Sequence, residues 1–122
     1  MNPRRIEISL TTNSSGAVTA YSENLKGILD RIEYVKTDFA DGVDFDITLE
    51  NSGTVLLDKD DINASAIFVP RQAVQTTAGV AALYASGGVA VLDKIVIAEE
   101  RVKVVIANGG DTKTGKVYLV VY

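Results

Sequence analysis

The densest set of side chains able to do chemistry in this sequence is Asp58-Lys59-Asp60-Asp61-Ile62-Asn63, where hard-oxygen donors crowd into six residues. A calcium loop uses such spacing, but it also needs a glycine at its sharp turn and a closing bidentate glutamate. Neither is present, and Ile62 stands where an oxygen is wanted, so the stretch reads as a solvated loop with no metal. The chain has no histidine and no cysteine, which removes the commonest base near neutral pH, thiolate ligands, cysteine nucleophiles and disulfides. Its serines and threonines therefore lack a triad partner. Paired carboxylates for glycoside hydrolysis are conceivable among 16 acids, but the aromatic platform of a sugar cleft is thin without tryptophan. The glycine pairs Gly87-Gly88 and Gly109-Gly110 fit turns and form neither G-x-G-x-x-G nor a P-loop. Tyr21, Tyr34, Tyr84, Tyr118 and Tyr122 are scattered, which suits half-buried packing better than a stacking set. The expectation is a protein with no catalytic residues, no cofactor and no metal.

Charge points to contact surfaces. The net charge is -4, but Asp38 to Asp61 holds eight acidic residues against Lys59 alone, so this segment carries -7 and the remainder +3. An acidic middle argues against a nucleic-acid groove, which needs a clustered basic face. It suits either a solvated edge that keeps the protein soluble or a face that meets a basic patch on a partner. Met1-Asn2-Pro3-Arg4-Arg5 is followed by alternation, and no apolar run approaches the ~18 residues of a spanning helix. Neither a signal peptide nor a membrane segment is expected.

The elements that must position these groups are strands. At 122 residues the chain is expected to be one domain, residues 1–122, able to bury roughly two thirds of its unfolded surface. Ile6, Ile8 and Leu10 alternate with polar residues, and after the turn-rich Thr12–Gly16 the extended Ala17–Tyr21 predicts a first hairpin. Leu25–Lys36 fits a helical stripe or a strand. Gly27 and the β-branched content favour the strand, with Asp30 on its apolar side or absorbed by a bulge. Val43–Glu50 is the cleanest amphipathic strand, turning at Asn51-Ser52-Gly53 into Thr54–Leu57, with Asp58–Ser65 as polar loop. Ala66–Val69 is a short strand stopped by Pro70. Thr76–Gly88 suits one or two helical turns or a long loop of small residues, and Val89–Leu92 and Lys94–Ala98 read as extended. Arg101–Tyr122 predicts a terminal hairpin across Asn108–Gly115, central and covered on both sides. Eight or nine short strands with little helix mean an all-β, two-sheet β-sandwich, and a jelly roll of about eight strands fits the count best.

Several short runs carry a resemblance. Ile8–Thr12, Ser15–Ala17 and Ala20–Ser22, then Pro70–Ala73, Ala82–Gly88, Ala98–Val105, Asn108–Gly110 and Lys113–Gly115 look like small proteins of the structural modules of tailed bacteriophages. The resemblance implies a virion component made in the host cytoplasm. The form it suggests is a jelly-roll cement or decoration protein on the capsid surface, bound to the major capsid protein and assembled as a homodimer or homotrimer. A tail or baseplate β-domain binding a receptor or glycan is the alternative. On either reading the partners are neither nucleic acid nor membrane. The partner-binding residues expected are Pro3, Arg4 and Arg5, as a basic arm preceding the first strand, and Val80, Leu83, Tyr84 and Val89 within an apolar self-association surface from Val80 to Leu92.

Overall fold

Alternating apolar residues on successive segments require two sheets that share one interior. A computed structural model describes residues 2–122 and contains strands only, with no helix among the described residues. The strands are β1 (Arg4–Thr11), β2 (Val18–Tyr21), β3 (Leu25–Lys36), β4 (Val43–Leu49), β5 (Val55–Ile62), β6 (Ala66–Phe68), β7 (Gln72–Ala73), β8 (Leu92–Asp93), β9 (Ile95–Glu100), β10 (Val102–Ala107) and β11 (Thr114–Val121). One sheet runs β1-β11-β3-β6, with β9 also on β3, and the facing sheet runs β2-β10-β4-β5.

The pairing explains the order. β1 lies on β11, β2 on β10, β3 on β6 and β9, and β4 on β5, all antiparallel, so the chain is one long ribbon folded back at the β4–β5 turn. Rolling that ribbon adds β11 to β3 and β10 to β4, which is the jelly roll. Its interior takes alternate residues from each strand: Ile6, Ile8, Leu29 and Leu119 from the first sheet meet Phe45, Ile47, Val104 and Ile106 from the second. Tyr34, Phe39 and Phe45 close one part of the core, with Tyr34 edge-on to Phe45 at a centroid distance of 4.7 Å.

Several sequence expectations fail in the same way. The terminal hairpin is absent, since β10 and β11 are central strands of different sheets, and the outer face of each is only partly covered, with Lys103, Val105 and Tyr118 half-exposed and Val120 buried. The segment between them crosses from sheet to sheet, fixed by Gly109 N–H donating to the Gly16 carbonyl at 2.9 Å and Ala40 N–H to the Gly109 carbonyl at 2.9 Å. The β1–β2 hairpin is likewise a crossover, because β1 and β2 belong to opposite sheets. Turn residues reverse a chain equally well within a sheet or between sheets, so local chemistry cannot distinguish the two. β5 continues through Ile62 where a loop was expected, as an exposed edge strand whose acidic residues hide its periodicity.

Other expectations hold. β3 is a strand, and its register against β11 steps from Arg31–Val120 to Leu29–Val121, so Asp30 is a bulged extra residue. The β4–β5 hairpin forms, and β6 is a short edge strand ending before Pro70.

Candidate interaction surface

The edge strand beside β3 is split. β6 pairs with residues 32–34 of β3 and β9 with residues between Leu25 and Leu29, running in the same direction, so they are two halves of one strand. The chain leaves the sheet between them, and Val69–Lys94 forms an insert rooted opposite the Asp30 bulge. Arg71 fills the opening: its Nη1 donates to the Asp30 carbonyl at 3.0 Å and to the Pro70 carbonyl at 2.7 Å, and its Nη2 lies 3.9 Å from the Asp30 carboxylate. At the returning leg, Lys94 Nζ sits 4.6 Å over the Tyr122 ring. The bulge thus marks the place where the edge strand opens.

Within the insert, three short antiparallel pairings meet: β7 with β8, Gln75 with Ala81, and Leu83 with Ala90. At their junction the hydrogen bonds close a ring. Val74 N–H donates to the Val91 carbonyl at 3.0 Å, Val91 N–H to Ala82 at 2.9 Å, and Ala82 N–H back to Val74 at 3.1 Å. Gly79 and Gly87, at φ 75° and 69°, make the two tips. Of the two readings of Thr76–Gly88 the loop of small residues holds: Val80, Leu83 and Tyr84 share helical spacing, but Leu83 pairs with Ala90 and Tyr84 opens the bend that leads to Gly87.

The side chains do not follow the backbone into order by burial. No residue between Val69 and Lys94 is buried, and Tyr84 and Val89 are 75% and 74% exposed. Of the eleven large apolar side chains exposed on the described residues, eight lie between Ile67 and Val96, so the apolar surface is concentrated at this edge. Gln72 to Leu92 is also 21 residues without a charge, where an ordinary soluble surface carries roughly 25–35% charged residues. That run was visible in the sequence and is a stronger signal than the spacing of Val80, Leu83, Tyr84 and Val89. It extends the expected Val80–Leu92 surface back to Gln72, and Ile67, Val69 and Val96 continue the exposed apolar residues beyond it.

The basic arm is corrected. Arg4 and Arg5 belong to β1, opposite Val121 and Val120, and only Pro3 of the three precedes the strand. Arg5 is engaged on its own sheet, 3.1 Å from Glu33 and over the Tyr118 ring at 5.7 Å. Around it Glu7 pairs with Lys116 at 3.1 Å and accepts from the Tyr118 hydroxyl at 3.0 Å, and Arg31 meets Glu33 at 2.9 Å. Those bonds from Lys116 and Tyr118 hold the Glu7 carboxyl below its ordinary value. This face satisfies its charges internally.

The second sheet carries the acidic segment. Asp46 lies directly opposite Asp58, and both are exposed, an arrangement that like charges disfavour. Asp58, Lys59, Asp60 and Asp61 lie exposed along β5, and no group of three or more acidic side chains close enough to hold a metal occurs among the described residues. The tyrosines form no common platform: Tyr34 is in the core, Tyr21 lies 4.2 Å beneath the Arg101 guanidinium, and Tyr84 stands on the insert. A depression of about 530 Å³ at the start of β6 is lined by Glu33, Tyr34, Val35, Ser65, Ala66 and Ile67, and it is open to solvent.

No protein-family model, curated protein or solved structure matches this chain.

Proposed function

We propose that this protein is a structural component of a virus particle, a cement or decoration protein that binds the major capsid protein lattice on the capsid surface and stabilises the head. It acts by area, with no bond-making step. The observation that carries this reading is the insert: 21 uncharged residues displayed at the edge of a jelly roll, an exposed apolar surface of the kind that makes contact with protein. The bacteriophage resemblance of Pro70–Ala73 and Ala82–Gly88, which fall in the insert, supports the same reading. The acidic strip on β4 and β5 complements it, since the Asp46–Asp58 juxtaposition is relieved when a basic surface of a shell subunit covers it. Weak contacts repeated over a lattice add through avidity, so each single contact can be modest.

A receptor- or glycan-binding domain of a tail would display several aromatic rings at its loop tips, and here Tyr84 alone stands in the insert. Copy number in purified particles tests the proposal. A cement protein approaches the abundance of the shell subunit on a stained gel, and particles imaged without it lose density on the head. A handful of copies per particle, or density confined to the tail, overturns the reading.

A further inference from the structure

We infer that Asn108 is a modification site: its side-chain amide is lost when the crossover between β10 and β11 opens, and the product keeps that crossover from closing as before. Among the asparagines Asn108 alone is followed by glycine, whose nitrogen no side chain shields. The reaction needs only water. The Gly109 nitrogen, its proton released, attacks Asn108 Cγ, the Cγ–Nδ2 bond breaks, and the amide nitrogen takes up a proton and leaves as ammonia. Water then opens the cyclic imide on either side. Cleavage at Cγ leaves aspartate, and cleavage at the main-chain carbonyl leaves isoaspartate, whose backbone runs through Cβ.

The closed fold holds each participant apart. Asn108 is exposed, at φ 59°, but Gly109 is buried. Gly109 N–H donates to the Gly16 carbonyl at 2.9 Å and the Gly109 carbonyl accepts from Ala40 N–H at 2.9 Å, so the nitrogen neither sheds its proton nor swings towards Cγ. The leaving group is tied as well, with Asn108 Nδ2 donating to Asp44 Oδ2 at 2.7 Å. Thr12 fastens the far side: its Oγ1 donates to the Gly110 carbonyl at 2.6 Å and accepts from Lys113 N–H at 2.8 Å. Local opening of this end must therefore precede the chemistry. Afterwards neither product fits. Aspartate replaces the donor facing Asp44 with a second carboxylate. Isoaspartate adds a main-chain atom where there is no room, since a Cβ on Gly109 would already lie 2.9 Å from Thr12 Cγ2 and 3.4 Å from the Gly16 carbonyl oxygen.

The inference concerns the purified chain and does not rest on the virion reading. Full protein is incubated in warm, mildly alkaline buffer with and without urea, and peptide mass mapping follows conversion at Asn108. The folded chain should convert at least about tenfold more slowly than the unfolded one, and its converted fraction should melt below the native protein. Thr12→Val, which removes the fastening hydroxyl, should speed conversion in buffer and leave it unchanged in urea. Asn108→Gly, suited to φ 59° and without an amide to lose, should keep its own melting temperature through the same incubation. Equal conversion of folded and unfolded chain overturns the inference, and so does converted protein that melts with the native. If Thr12→Val does not fold, amide exchange in the native chain decides: the slowing of conversion on folding should match the protection of Gly109 N–H, and a Gly109 amide that exchanges as freely as in urea overturns the inference.

Discussion

Glu100 ends a strand of one sheet and holds the turn of the other: its Oε1 accepts the backbone N–H of Ser52 at 3.0 Å and that of Asn51 at 2.7 Å. The side chain is 7% exposed, and these N–H donors, Ser52 first, hold its carboxyl below the ordinary value. Truncation leaves two donors without a partner. Glu100→Ala is expected to lower the melting temperature by roughly 5 °C, and Glu100→Gln, which keeps an acceptor, by less. A Glu100→Ala protein melting with the native one would show that the turn holds itself.

Gly115 is required for want of room. A Cβ there would lie 2.6 Å from Phe39 Cε2 and 2.7 Å from Cδ2, in the cluster where Phe39 stacks near Tyr34 at 6.2 Å. Overpacking of this kind costs ~1–3 kcal/mol. Gly115→Ala should shift the urea midpoint down accordingly, and Phe39→Leu should do so through lost packing. Their combination should cost less than the sum, because the smaller ring-less side chain makes space for the methyl. Strict additivity would remove the contact from the account.

Four carboxylates give the fold its acid limit. Glu7 is lowered by Lys116 and Tyr118, Asp38 by the Thr114 N–H, Glu50 by Arg101 and Glu100 by the Ser52 N–H. A folded value below the unfolded one means their contribution is complete above the ordinary values of 4.5 for Glu and 3.8 for Asp and disappears as pH falls through the folded values. The melting temperature should be level from neutrality to about pH 5 and decline below it. The decline should be shallower in Glu50→Gln, which no longer has a carboxyl to protonate, and an equal slope would exclude the Arg101 pair.

The base limit belongs to Tyr34. Burial, with the Asp41 carboxylate adding to it, pushes its hydroxyl from 10.0 up to about 12. Because the folded value is raised, its contribution is complete below 10.0 and is lost as pH rises through about 12. Near-ultraviolet phenolate absorbance should therefore show one of the five tyrosines titrating late, and Tyr34→Phe should delete that phase. A late phase that persists in Tyr34→Phe would assign it elsewhere.

Strand identity was legible wherever one face meets the core, as in Val43–Leu49 and Ile6–Leu10, because period-two alternation records burial directly. The layering was legible in outline from strand count. Strand partners were not: Thr12–Gly16 and Asn108–Lys113 have ordinary turn residues, and what makes them crossovers is that they pack on each other, through Thr12 Oγ1 donating to the Gly110 carbonyl at 2.6 Å and Gly109 on Gly16. That contact spans most of the chain. β5 was missed beyond Leu57 because Asp58–Asp61 are all exposed and a register shift interrupts the pairing there, so no alternation records a buried face and the charges look like loop. In the candidate surface, Val80, Leu83, Tyr84 and Val89 stand together on one insert, while Arg4 and Arg5 are taken up by β1. The terminal arginines misled because a charged strand end and a charged tail have the same composition.

The divided edge strand makes the roll a chassis. Phe68 faces Ile32 and Ile95 faces Leu29, so only Asp30 and Arg31 separate the two halves on β3, and a splice of two residues in place of Val69–Lys94 would restore a continuous strand. Three strand positions correspond to a gap of about 10 Å. Any foreign segment whose ends come that close can be grafted at this port without entering the core, which turns a natural interruption into a site for peptide display.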